Sequence, residues 1–78
     1  MYYVYLLENE TKDFHYTGLT HDLDRRMVEH EQGLTPMTKG RLLHLKWHCV
    51  FPTKEAAARF EKYLKTGSGR AFAKRHLL

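Results

Sequence analysis

Residues 2–7, YYVYLL, are an unbroken run of aromatic, β-branched and aliphatic side chains, too short for a helix. Such a run predicts a strand buried on both faces, and hence central in a sheet. Residues 8–13, ENETKD, are polar and read as a turn. Residues 14–19, FHYTGL, predict a second strand, and so short a connection makes the pair a hairpin. A helix is expected over 21–32, with Thr20 or Asp22 able to cap its start and Gly33 suited to its stop. Residues 34–41, LTPMTKGR, read as a loop around Pro36 and Gly40. Along 42–51 the pattern alternates, with Leu43, Leu45, Trp47, Cys49 and Phe51 on one face and His44, Lys46 and His48 on the other. That is a half-covered third strand. Pro52 and Thr53 open an alanine-rich helix over 54–65, Gly67 and Gly69 break it, and 70–77 predict a short basic helix. The order β-β-α-β-α-α predicts an α+β fold: a three-stranded, mostly antiparallel sheet flanked by helices.

A length of 78 residues allows one domain, taken as 1–78. Thirteen lysines and arginines against nine acids give a net charge of +4, which favours an anionic partner such as nucleic acid. The charge is uneven. Glu8, Glu10 and Asp13 lie near the start, whereas Lys62, Lys65, Arg70, Lys74 and Arg75 close the chain with no acid among them. The single cysteine, Cys49, excludes an intrachain disulfide and multi-cysteine zinc modules, and a reducing, cytoplasmic setting is expected. No apolar run approaches the roughly 20 residues of a membrane span, and the first residues lack the order of a secretory signal.

Several chemistries drop out. Ser68, the one serine, lies between two glycines with no nucleophile context, and Cys49 falls on the apolar face of a strand. There is no phosphate-binding GxxxxGK[ST] loop. No two histidines stand four apart on a predicted helix, and His44 and His48, four apart on a strand, would be about 13 Å from each other.

The helices are more telling. With Leu23 at the origin and 100° per residue, Met27 falls at about 40°, His30 at about −20° and Arg26 at about −60°. Arg25 falls at about 200°, facing solvent. Arg26 therefore borders the core-facing stripe, with His30 one turn on. Arg26 snorkelling beside a hydrogen-bonded inner histidine would explain that without chemistry. On the second helix, centred on Ala57, Glu61 falls at about 40°, on the same stripe as Leu64 at about −20° and Phe60 at about −60°. A carboxylate in an apolar stripe needs a cation: Arg26, a lysine or a metal ion. Tyr5 and Tyr16 stand eleven residues apart, so a hairpin can set them on the same side of the sheet, and strand tyrosines commonly serve packing.

Taken in order, these residues resemble the GIY-YIG nuclease superfamily over essentially the whole chain. Tyr3-Val4-Tyr5 stands where that family has its first motif and Tyr16-Thr17-Gly18 where it has its second. Arg26, eight residues after Gly18, matches the register of the family's arginine, with His30 one turn on. The run from Glu61 to Arg70 resembles the glutamate-bearing helix of small stand-alone bacterial members. The first motif lacks its glycine, and Thr17 replaces an isoleucine. The asparagine that several members carry downstream of the glutamate has no counterpart, Asn9 being the only asparagine.

The resemblance implies a metal-dependent phosphodiesterase acting on nucleic acid, DNA before RNA, with low intrinsic sequence selectivity. Tyr5 or Tyr16 would help remove the proton of the attacking water through His30. Arg26 would hold non-bridging phosphate oxygens, and Glu61 would ligate one divalent cation, Mg²⁺ or Mn²⁺. The five residues should converge on one partly exposed surface. Lys39, Arg41, Lys62, Lys65, Arg70, Lys74 and Arg75 would supply backbone affinity. A protein partner would supply selectivity. Two other classes are carried beside it: a nucleic-acid-binding module of this fold that does not cleave, and a protein-docking module presenting His44, Lys46 and His48.

Overall fold

A computed structural model describes residues 1–35 and 38–78. The elements follow the predicted order: β1 (Tyr2–Asn9), β2 (His15–Thr20), α1 (Leu23–Glu31), β3 (Leu43–Phe51), α2 (Lys54–Leu64) and α3 (Gly67–His76). Pro36, in the predicted loop, lies outside the described residues. The sheet is antiparallel throughout, in the order β2-β1-β3. The apolar run is thus central, with Val4, Tyr5, Leu6 and Leu7 all buried. No described helix is long and apolar enough to cross a membrane.

Alternation along β1 sorts the molecule into layers. Val4 packs with Ala57 and Leu64 of α2 and Ala73 of α3, and Tyr2, Leu19, Trp47, Cys49 and Phe51 extend that cluster. The opposite face of β1 carries Tyr5, whose hydroxyl meets His30 of α1. Helix α1 therefore lies on one side of the sheet, and α2 and α3 on the other.

Caps set the helix ends. Asp22, one of the two expected candidates, accepts from the Arg25 amide, and Thr53 accepts from the Ala56 amide. The third helix departs from expectation. It starts at Gly67 rather than at residue 70, because Thr66 accepts from the Gly69 amide and caps it. Gly69 does not break the helix; it permits close packing, since a Cβ there would sit 1.8 Å from the Tyr63 carbonyl oxygen.

The alternation predicted for β3 is also broken. A bulge opposite Leu6 and Leu7 lets Leu6 pair with Trp47 and Leu7 with Leu45, leaving Lys46 as the extra residue. Trp47, Cys49 and Phe51 keep to the α2/α3 side, while Leu43 and Leu45 turn to the other. His44 now shares a face with Glu8, and His48 stands opposite it beside Tyr3, with ring centroids 6.0 Å apart. The expected common face of His44, Lys46 and His48 does not form, which removes the basis of the protein-docking reading.

The rearrangement has an electrostatic effect. Glu8 is only 3% exposed. Its carboxylate receives His15 Nε2 at 2.9 Å from β2, His44 Nε2 at 3.6 Å and Lys46 Nζ at 4.0 Å from β3. The hydrogen bond from His15 comes first among the causes that hold its pKa below the usual carboxylate value.

Candidate active site at the edge of β2

Tyr5 pairs across the sheet with Gly18, and Tyr16 pairs with Leu7, so both phenols lie on the α1 face. Gly18 is what lets Tyr5 lie there. A Cβ on residue 18 would fall 2.3 Å from the Tyr5 hydroxyl oxygen and 2.4 Å from the ring carbon bearing it. The Tyr5 ring thus crosses the bare backbone of β2 and brings its hydroxyl 2.8 Å from His30 Nε2. Tyr16 closes the triangle, its ring centroid 6.3 Å from that of Tyr5 and 5.4 Å from that of His30.

The second nitrogen of His30 fixes the proton order. His30 Nδ1 is 2.7 Å from Thr38 Oγ1, which in turn donates to the Thr35 carbonyl at 3.4 Å. With its proton given to Thr35, the threonine oxygen accepts, so Nδ1 carries the imidazole proton and Nε2 accepts from Tyr5. Burial, followed by the charge of Arg26, pushes the His30 pKa below its ordinary value, and the ring is neutral near pH 7. Burial, followed by the charge of Tyr16, pushes Tyr5 up to about 12, while the Arg26 guanidinium works the other way. Tyr5 is 0% exposed and carries its proton at rest.

Arg26 borders this cluster as its helix position predicts. Its side chain is 36% exposed against 74% for Arg25. Its ion partner is Glu29, at 2.9 Å from Nε, and Glu29 also takes Arg25 Nε at 3.4 Å. Among the described residues Arg26 has no second ion partner.

Glu61 is brought up from the other layer. Its carboxylate pairs with Lys65 Nζ at 3.3 Å, the lysine among the cations the sequence left open, and not with Arg26. Its charge still raises the Tyr5 pKa, as the last of the causes acting there. The structure thus gathers Tyr5, Tyr16, His30 and Arg26 on the α1 face. Glu61 stands on α2, a helix of the other layer, near enough for its charge to act on Tyr5.

Of the basic residues singled out, Lys39, Arg41, Lys62, Lys65, Arg70, Lys74 and Arg75 are all exposed. Arg41 stacks on Phe14 at 3.8 Å from the ring centroid, and Lys65, Arg70 and Lys74 border one cavity on the α2/α3 side.

Sequence reasoning missed Glu29 and Thr38. The i,i+3 step from Arg26 to Glu29 was a readable signal. Thr38 had none, since its role depends on the loop folding back over His30.

A buried neutral histidine has a stability signature. Its folded pKa is depressed, so its contribution is fully present above the unfolded value near 6.5 and is lost as pH falls through the folded value. Unfolding free energy should decline below about pH 6.5, by no more than about 1.4 kcal/mol per pH unit for one proton. His30→Gln, whose amide oxygen can still accept from Tyr5, should flatten that decline in urea titrations. Glu8, also depressed, adds its own loss only below about pH 4.5.

The sequence profile of the GIY-YIG catalytic domain matches residues 1–75. A UPF0213 protein of Vibrio campbellii is 35% identical over 65 residues, 80% of this chain and 61% of that protein. UPF0213 protein BH0048 of Halalkalibacterium halodurans is 41% identical over 68 residues, 82% of this chain and 69% of its own. The chain thus spans less than two thirds of the Vibrio relative. The solution NMR structure of the UPF0213 protein BH0048 from Bacillus halodurans superposes with a TM-score of 0.57 at 38% identity, covering 96% of this chain and 82% of that one.

Proposed function

This chain belongs to the GIY-YIG family, and from that premise we propose that it is a metal-dependent endonuclease hydrolysing phosphodiester bonds of DNA, with little sequence selectivity of its own. The observation that carries the reading is the buried hydrogen-bond chain Tyr5–His30–Thr38 set behind Tyr16 and beside Arg26. Such a buried polar chain, with a titratable pair shifted in opposite directions beside a guanidinium, is the kind of arrangement that clusters at functional sites.

The geometry supports different tasks for the two tyrosines. Tyr5 has no exposed surface and its proton is committed to His30, so it acts as a positioning residue. Tyr16 is partly exposed and is the phenol able to meet an attacking water. Only as its phenolate, the form a neighbouring cation favours, can it accept the water's proton; in that form it would take the proton as the new phosphorus–oxygen bond forms and the bond to the departing oxygen breaks. Arg26 holds the non-bridging oxygens, whose added charge its planar donors match.

Glu61 is the candidate cation ligand. One half-buried carboxylate with a single lysine partner suits Mg²⁺ or Mn²⁺, which take one or two protein carboxylates and fill the remainder with waters and substrate phosphate oxygens. It does not suit a cage: among the described residues no group of three histidine, cysteine or acidic side chains could hold a metal ion. When bound, the cation would offset charge on the departing oxygen. A protein partner would direct this small catalytic unit to its substrate.

The test is cleavage of plasmid and branched DNA with Mg²⁺ and with Mn²⁺, against a chelator control. Binding without cleavage in both metals would leave a non-cleaving DNA-binding module in its place. Affinity should fall steeply with salt. About five phosphate contacts give a log–log slope near −4.5, and a flat response would remove the basic C-terminal third from the DNA-binding surface.

A further inference from the structure

On the opposite side of the sheet from α1 lies a cavity of about 810 Å³, within the range of about 300–1,000 Å³ usual for ligand pockets. Its floor is apolar, made by the buried Leu6 and Leu64 together with Trp47. Phe14, from the end of the hairpin, forms a side, and Tyr16 borders it from β2 with its ring turned to the α1 face. The exposed Lys65, Arg70 and Lys74 stand at the mouth, and Asp13 is the one acid lining it. Asp13 is already engaged by Thr11, whose hydroxyl donates to it at 2.6 Å. Arg70 and Lys74 have no ion partner among the described residues. Trp47 Nε1 is buried with no hydrogen-bond partner among the described residues.

An aromatic and aliphatic lining under three cations matches one chemistry: a nucleobase laid against Phe14 and Trp47, with its flanking phosphates at the mouth. Two residues join the cavity to the candidate active site. Tyr16 borders it and also stands in the aromatic cluster; Lys65 borders it and also holds Glu61. We propose that this cavity receives an unpaired base of the DNA strand next to the scissile phosphate, so that the substrate is a single-stranded or locally unpaired segment rather than intact duplex. The proposal rests on the nuclease reading for its placement beside the scissile bond. A base still stacked in a helix cannot enter the cavity without paying for its removal from the stack.

Trp47 is the only tryptophan in the chain, so its fluorescence reports on the cavity alone. The intact chain, with a chelator present so that no cleavage occurs, is titrated with a short single-stranded oligonucleotide. Parallel titrations use the same oligonucleotide with consecutive abasic sites and the matched blunt duplex. The single strand should quench Trp47. The abasic strand should bind roughly tenfold more weakly and leave the emission unchanged, and the duplex should bind without quenching. Phe14→Ala, its urea midpoint checked, should weaken binding of the intact strand but not of the abasic one. Equal affinity for intact and abasic strands, equal quenching by duplex, or binding with no change in Trp47 would each overturn the proposal. Because no metal is present, these outcomes are separate from the cleavage assay. A quenched, base-dependent complex with no cleavage would sink the nuclease reading and keep the pocket. Cleavage of DNA with no base dependence would do the opposite.

Discussion

Tyr16→Phe should lower DNA cleavage by about 10²- to 10⁴-fold, the range for losing a positioned proton acceptor, and leave the urea midpoint nearly unmoved. Tyr5→Phe should have the larger effect on stability. Its hydroxyl is the donor to His30 Nε2 at 2.8 Å, in a site with no water-exposed surface on Tyr5. Removing it leaves a buried acceptor unpaired, at a cost of about 1–3 kcal/mol. In a chain of this size that is a drop of several degrees or more in Tm, roughly 4–8 °C per kcal/mol. The loss has a pH signature. The folded pKa of Tyr5 is raised to about 12 from 10, so its stabilisation is fully present below pH 10 and disappears as pH rises toward 12. The phenylalanine variant should lack that alkaline decline. A Tyr5→Phe protein as stable as the parent and as inactive as Tyr16→Phe would exchange the two assignments.

The division of labour between the tyrosines was half legible in the sequence. Eleven-residue spacing across a short hairpin put both on one side of the sheet, and that is where they are. Which of them is sealed in depends on Gly18, whose bare backbone admits the Tyr5 ring, and on a helix and loop that close over it. Helical periodicity separated Arg26 from Arg25 correctly, because exposure around one helix follows directly from 100° per residue. The same wheel centred Glu61 on a core-facing stripe but could not say which layer that helix joins. The layer depends on β1 being central and two-faced, a property of the assembled sheet. The bulge at Lys46 was illegible for a related reason. A single extra residue reverses every later side chain, and nothing in the alternating run from Leu43 to Phe51 marks where the partner strand slips.

Glu61→Gln isolates catalysis from binding and from folding. The substitution keeps the shape of the side chain and removes its charge. Cleavage should fall by at least about 10²-fold, the scale for losing one main source of transition-state charge stabilisation. DNA affinity should hold or rise slightly, because a negative charge beside the phosphate path has gone and Lys65 is released from its 3.3 Å pair. Stability should barely change. Arg26 is held by Glu29 and not by Glu61, so the change leaves no buried cation unpaired, a defect that would cost about 3–5 kcal/mol. What is lost is an i,i+4 pair with a lysine that is 58% exposed, worth about 0.5 kcal/mol at most. Mg²⁺ dependence supplies the last discrimination. If Glu61 ligates the cation, the variant should need a higher metal concentration for half-maximal residual cleavage. A variant that is destabilised by several kcal/mol, or that cleaves normally per folded molecule at the same metal concentration, would return Glu61 to a purely structural role and leave the cation to be held elsewhere.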